Sequence, residues 1–156
     1  MRVDTSPHGK LERLYLRQRD RMWRAVLAFA GDPEVASDAV AEAFAQALGR
    51  GAAIRSPERW VWRTVFRIAA GDLKERRRRG ADRPEETYEM SELARDLIEA
   101  LATLPQKQRA AVVLHHAVGF PAKEIAPMIG STTAGVHVLL SRARKRLRGL
   151  LEADDA

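Results

Sequence analysis

One aromatic residue and three basic residues recur at helical spacing between positions 60 and 74. They are Trp60, Arg63, Arg67 and Lys74. Their separations of three, four and seven residues place them along one face of a helix. Nucleic-acid bases stack on aromatic rings, at about 1–3 kcal/mol per base, and cationic side chains neutralise phosphates. The pattern therefore indicates binding of single-stranded nucleic acid.

The competing interpretation of these aromatic residues is packing in a core. Large aromatic side chains at helical spacing usually belong to a core. Trp62 and Phe66 share a face that does not carry the basic residues, so they are the natural core candidates. Trp60 lies with the arginines, and its spacing leaves both DNA contact and local packing open.

A second set of candidate nucleic-acid contacts lies near the end of the sequence. Residues 122–129 predict a short helix, Gly130 supplies a turn, and apolar residues recur at helical spacing from Val136 to Leu147. This arrangement is typical of a helix-turn-helix, whose second helix lies in the DNA major groove. The start, the polar face and the basic continuation of that helix provide the candidate contacts. They are Thr132, Thr133, Ala134, His137, Ser141, Arg142, Arg144 and Lys145.

Three helices are predicted to hold the first set in place. An apolar stripe extends from Lys10 to Ala30, and Asp32-Pro33-Glu34 begins a second helix that we expect to end near Leu48. Ser56-Pro57-Glu58 has the same pattern of cap, proline and acid, which is a strong helix start. This third helix extends into the arginine run 76–79, which is either a solvated helix end or a site that attracts phosphate.

The remaining elements complete an all-α prediction. Residues 80–90 contain Gly80 and Pro84 and break the periodicity, which indicates a flexible linker. Ser91 can cap a further helix, and Pro105 can occupy the first helical position of the next, which Gly119 ends. We find no internal repeat and no sustained strand alternation. The expected fold is two small helical domains, residues 10–79 and 91–151, the second being the helix-turn-helix.

Composition favours a polyanionic partner and a chain that stays in the cytoplasm. The 156 residues carry a formal net charge of +6, are 46% hydrophobic and include no cysteine. The absence of cysteine excludes disulfides and thiolate metal sites. No apolar run approaches the roughly 20 residues that a membrane span requires. The first residues also lack the apolar core of a signal peptide.

The residue patterns give no support for catalysis. The sequence shows no glycine-rich phosphate loop, no nucleophile with an adjacent base, and no cluster of metal ligands. His115 and His116 are adjacent, so they point to different faces of a helix and do not form a metal-binding pair. We therefore expect no enzymatic activity, no cofactor and no metal.

Several fragments resemble a known family. Leu104-Pro-Gln-Lys-Gln-Arg109, Glu124-Ile-Ala126, Gly130 and Ser141-Arg-Ala143 are similar to the carboxy-terminal DNA-binding domain of bacterial sigma factors. The similarity is strongest to the short, two-domain extracytoplasmic-function (ECF) subgroup, and it covers about residues 10–150. It implies a region 4-like domain at 91–151 that reads the minus-35 duplex, and a region 2-like domain at 10–79.

The amino-terminal segments extend the resemblance. Residues 35–44 resemble the sigma helix that docks on the coiled-coil clamp of RNA polymerase, with Asp38 and Glu42 at the family's acidic positions. Residues 60–68 resemble the segment that opens and reads the minus-ten element, which gives Trp60, Arg63, Arg67 and Lys74 that role. Without the resemblance, Asp38 and Glu42 indicate only a solvated face.

The resemblance implies a transcription initiation factor that binds core RNA polymerase and directs it to promoter DNA. It also implies an anti-sigma factor as a candidate partner, and no membrane is expected among the partners. One alternative is a helix-turn-helix transcriptional regulator that acts without docking on polymerase. A second is a small nuclease or hydrolase acting on nucleic acid, which would require clustered acids in a cleft.

Overall fold

Helices account for the architecture throughout residues 2–80 and 90–154, the parts of the chain that the computed structural model describes. These ranges contain no strand, which agrees with the all-α prediction. Their α-helices are α1 (Pro7–Ala30), α2 (Pro33–Arg50), α3 (Pro57–Arg78), α4 (Glu92–Ala102), α5 (Gln106–Val112), α6 (Ala122–Ile129) and α7 (Thr133–Asp154). A 3-10 turn (Gly51–Ala53) follows α2, and a π-helical turn (Val113–Val118) continues α5. Most of the predicted linker, residues 81–89, lies outside the described residues.

The first helix begins earlier than the apolar stripe indicates. The predicted start at Lys10 is wrong, because Ser6 caps the helix by accepting a hydrogen bond from the Gly9 N–H, and Pro7 occupies the first turn. Gly31 ends α1 in the left-handed conformation, with φ 68°. A β-carbon is unfavourable at such a φ, so glycine suits this position.

Asp32 fixes the start of α2 and ties it to α3. One carboxylate oxygen accepts hydrogen bonds from the N–H groups of Glu34, at 2.9 Å, and Val35, at 3.4 Å. The other accepts from the Arg76 guanidinium on α3, and Asp32 is only 4% exposed. The predicted cap is therefore confirmed, and its buried charge is compensated by hydrogen bonds and an ion pair.

Other predicted helix boundaries need correction. Helix α2 continues through Gly49 to Arg50, so the expected end at Leu48 is wrong. Helix α3 does begin at Pro57, but the Ser56 side chain makes no capping hydrogen bond. Pro105 precedes α5 and is not its first helical residue.

The predicted helix-turn-helix is present as α6, the turn at Gly130, and α7. Gly130 adopts φ 66° and ends α6, while the Thr132 hydroxyl accepts a hydrogen bond from the Gly135 N–H at 3.0 Å. Gly119 ends the preceding π-helical turn with φ 95°. Both α6 and the π-helical turn thus end at a residue whose backbone conformation favours glycine.

The two helical units pack against each other through aromatic rings. Trp62 on α3 is 1% exposed and lies alongside Phe66, with ring centroids 6.3 Å apart. The ring of Phe120, which comes just before α6, meets Trp62 edge-on at 5.6 Å. Trp62 therefore belongs to a hydrophobic core that includes residues of both units.

Polar contacts accompany this packing. The Arg109 guanidinium donates to the Phe29 carbonyl at 2.9 Å and lies 5.4 Å from the centre of the Phe29 ring. Arg21 donates to the Val118 carbonyl. The carbonyls near a helix carboxy terminus carry partial negative charge, so both guanidinium groups meet favourable partners.

We predict that Asp32→Ala lowers the free energy of unfolding by about 1–3 kcal/mol, because it removes the α2 cap and leaves Arg76 without this partner. Urea denaturation measures the change. Asp20→Ala is the control, since Asp20 is 83% exposed and lies 3.8 Å from Arg19. This control should change stability by less than about 0.5 kcal/mol. Equal effects of the two substitutions would contradict the structural role of Asp32.

Candidate nucleic-acid interface

Helix α7 presents one apolar and one polar face. Val136, Leu140 and Ala143 are at most 3% exposed and pack into the core. The eight predicted contact residues are all exposed: Thr132, Thr133, Ala134, His137, Ser141, Arg142, Arg144 and Lys145. Burial of the apolar stripe thus leaves the predicted contact residues open to a groove of DNA.

The turn that enters α7 is closely packed. A β-carbon at Gly135 would lie 2.4 Å from the Ser131 hydroxyl and 3.1 Å from the Thr132 hydroxyl. The first distance is too short for a carbon–oxygen contact, so a larger residue would displace the Ser131 side chain. The absence of a side chain at Gly135 therefore helps to keep the capped start of α7 compact.

The basic continuation of α7 is available for phosphates. Arg142, Arg144 and Lys145 make no ion pair with another described residue. Partial desolvation, together with repulsion from His115 and Arg144, lowers the pKa of His116. Both effects favour the neutral form of the His116 imidazole beside this surface.

The predicted DNA-binding residues of helix α3 differ in their exposure to solvent. Arg63, Arg67 and Lys74 are exposed, whereas Trp60 is partly buried with the Arg50 guanidinium 5.5 Å from its ring centre. Trp62 and its neighbour Phe66, at 2% exposure, confirm the packing interpretation for that pair. Trp60 keeps both interpretations, because it packs locally and still has accessible surface.

A cleft of about 610 Å³ separates the start of α3 from α6. Trp60 and Arg63 line it on the α3 side, while Arg67 and Lys74 do not. Arg50, Arg55 and Lys123 also line this cleft. The sequence does not bring them together, because Lys123 is distant from the other two along the chain.

Helix α2 carries the predicted acidic pair. Asp38 and Glu42 are both exposed, and the Glu42 carboxylate accepts a hydrogen bond from the Gln46 amide at 3.0 Å. The buried side chains of α2, such as Val35 and Ala39, lie against the core. The two carboxylates therefore occupy an accessible face, available to a basic partner.

Within residues 2–80 and 90–154, no group of three or more histidine or acidic side chains is placed to hold a metal ion. In the same ranges, none of the helices combines the length and the apolar character needed to cross a membrane.

This chain is similar in sequence and in fold to known proteins. Residues 94–147 match the family model for sigma-70, region 4. The chain therefore contains a sigma-70 region 4 domain, and the proteins it is similar to include sigma factors of the ECF group. The ECF RNA polymerase sigma factor ShbA of Streptomyces griseus is 42% identical over 69 residues, which is 44% of this chain and 36% of ShbA. The match thus spans about a third of that relative's length.

A longer similarity includes both helical units. The RNA polymerase sigma factor SigV of Bacillus subtilis is 28% identical over 144 residues, covering 85% of this chain and 86% of SigV. The sigma factor RpoE of Bartonella quintana, solved in complex with the anti-sigma factor NepR, superposes with a TM-score of 0.78. That alignment covers 93% of this chain and 98% of RpoE at 21% identity, so it shows a shared fold.

We predict that Arg144→Ala weakens binding to duplex DNA and reduces the slope of log K against log salt by about 1, because one phosphate contact is lost. Titrations of the full chain between low and moderate salt measure the slope. Arg24→Ala, at an exposed position of α1, is the control and should leave it unchanged. An unaltered slope for the Arg144 variant would place that side chain away from phosphate.

Proposed function

We propose that this chain is a transcription initiation factor that binds core RNA polymerase and directs it to specific promoters. The observation that supports this most strongly is the extent of the similarity to SigV, which includes α1–α3 as well as the helix-turn-helix. A regulator that acts without polymerase would account for α6 and α7. It would leave the exposed acids of α2 and the basic stripe of α3 without a role.

In this proposal, residues 10–79 form the domain that binds the polymerase clamp and the minus-ten strand. Asp38 and Glu42 meet basic residues of the clamp, and their accessible position on α2 supports that role. Loss of such a charge pair at an interface raises the dissociation rate and weakens binding.

The same domain captures the minus-ten strand. Trp60 stacks against a base, and Arg63, Arg67 and Lys74 bind phosphates along α3. Residues 80–90 connect this domain to residues 91–151, whose helix α7 enters the major groove of the minus-35 duplex. Joining two weak contacts in one chain raises the effective concentration of the second.

These contacts make and break no covalent bond, so phosphodiester chemistry remains with the polymerase and the chain is not an enzyme. The proposal places it in the cytoplasm, with the polymerase and the chromosome. An anti-sigma factor is a candidate partner, because RpoE, which shares this fold, was solved bound to one.

Simultaneous contact with both promoter elements requires the two units to separate. About 25 base pairs at about 3.4 Å each put the elements roughly 85 Å apart. A compact chain of this length has a radius of gyration of about 15 Å. The packed arrangement is therefore too compact to contact both elements at once. When extended, the 11 linker residues add up to about 40 Å between the two units.

Binding to purified bacterial core RNA polymerase, in moderate salt and without DNA, tests the proposal. We expect a stoichiometric complex on size-exclusion chromatography. The absence of a complex, together with tight binding to duplex DNA, would instead support the regulator that acts without polymerase.

The double substitution Asp38→Ala with Glu42→Ala should weaken polymerase binding by roughly tenfold or more, because two charged contacts are lost. Duplex DNA binding, measured separately, should not change. The matched control removes two exposed acids elsewhere, through Asp20→Ala with Glu152→Ala. Equal polymerase affinity for the two double variants would remove the α2 face from the interface.

A further inference from the structure

The cleft between α3 and α6 has the properties of a ligand site. Its volume of about 610 Å³ is within the range of small-molecule sites. One wall comes from the end of α2, the following turn and the start of α3. The other comes from residues 121–128 of the helix-turn-helix unit. We call it the basic cleft, after the cations that line it: Arg50, Arg55, Arg59, Arg63 and Lys123.

Positive charge in the basic cleft is largely uncompensated. Glu124 is the carboxylate among its lining residues, and it already pairs with Arg59 at 2.8 Å. Arg55, Arg63 and Lys123 have no ion pair within the described parts of the chain. Cations held together between low-dielectric walls produce a positive potential that attracts a polyanion.

The basic cleft also offers a surface for a planar ring. Trp60 is partly buried there, and the Arg50 guanidinium lies 5.5 Å from its ring centre. Pro121, Pro127 and Met128 add apolar surface on the opposite wall. Aromatic platforms next to cations are suited to nucleobases joined to phosphates, since every base has a π face.

We propose that the basic cleft binds a nucleoside polyphosphate, with the base against Trp60 and the phosphates held by Arg55, Arg63 and Lys123. Because the walls belong to both helical units, the ligand binds the packed arrangement and shifts the population towards it. Trp60 and Arg63 are then occupied and unavailable to a DNA strand. The site does not depend on polymerase binding, so it can be tested independently of the proposed function.

Isothermal titration of the full chain with ATP, in the absence of metal, tests the ligand class, with GTP titrated in parallel. We expect saturable binding of one ATP per chain. Adenosine and inorganic tripolyphosphate should each bind at least roughly tenfold more weakly, because each supplies half of the contacts. Tripolyphosphate binding as tightly as ATP would overturn the role of Trp60.

Lys123→Glu identifies the site, with Lys107→Glu as the matched control of equal charge change at an exposed position outside the cleft lining. ATP affinity should fall at least roughly tenfold in the first variant and stay within about twofold in the second. Equal losses in both would show that only net charge matters. No saturation by ATP or GTP, with binding of a single-stranded deoxyoligonucleotide, would also overturn the proposal, since the cations would then serve a DNA strand.

The dependence on both units has its own test. Phe120→Asp removes the edge contact with Trp62, and Phe120 is not itself among the residues that line the cleft. Circular dichroism checks that the variant is folded. Its ATP affinity should fall at least roughly tenfold, whereas Leu97→Asp at an exposed position of α4 should have little effect. Unchanged ATP affinity in a folded Phe120 variant would place the site within one unit and overturn the proposal.

Discussion

The contact between Trp62 and Phe120 helps to join the two helical units and so to fix how α3 lies relative to the helix-turn-helix. Trp62 is buried in the first unit, and its ring forms a T-shaped pair with Phe120, which comes just before α6. Aromatic pairs of this geometry contribute about 0.5–1.5 kcal/mol beyond the burial of their surface.

The polar contacts between the units depend on how the helices end. Arg109 and Arg21 donate to the main-chain carbonyls of Phe29 and Val118. These carbonyls lie at helix ends that stop at Gly31 and at the residue after Val118. Correct termination of these helices is therefore a condition for docking the second unit on the first.

The packed arrangement gives one surface two potential uses. Trp60 and Arg63 lie on the face of α3 suited to a DNA strand, and they also form one wall of the cleft against α6. The contacts on α7 stay exposed in the same arrangement. The part of the proposed minus-ten surface that lies in the cleft is thus affected by the separation of the units, while the proposed minus-35 surface on α7 is not. A conformational equilibrium of this kind can be biased by any ligand that prefers one state.

The sequence alone determined the features that depend on neighbours within one helical turn. Hydrophobic periodicity and caps predicted the helices, the helix-turn-helix, the Asp32 cap and the exposed face of α7. The error at Gly49 arose because one glycine costs a helix only about 1 kcal/mol, which did not end α2 before Arg50. Tertiary structure alone decided the pairing of Arg109 with Phe29, of Trp62 with Phe120, and the gathering of Arg55 and Lys123 around one cleft. These residues are far apart along the chain, and no local periodicity states which surfaces will meet.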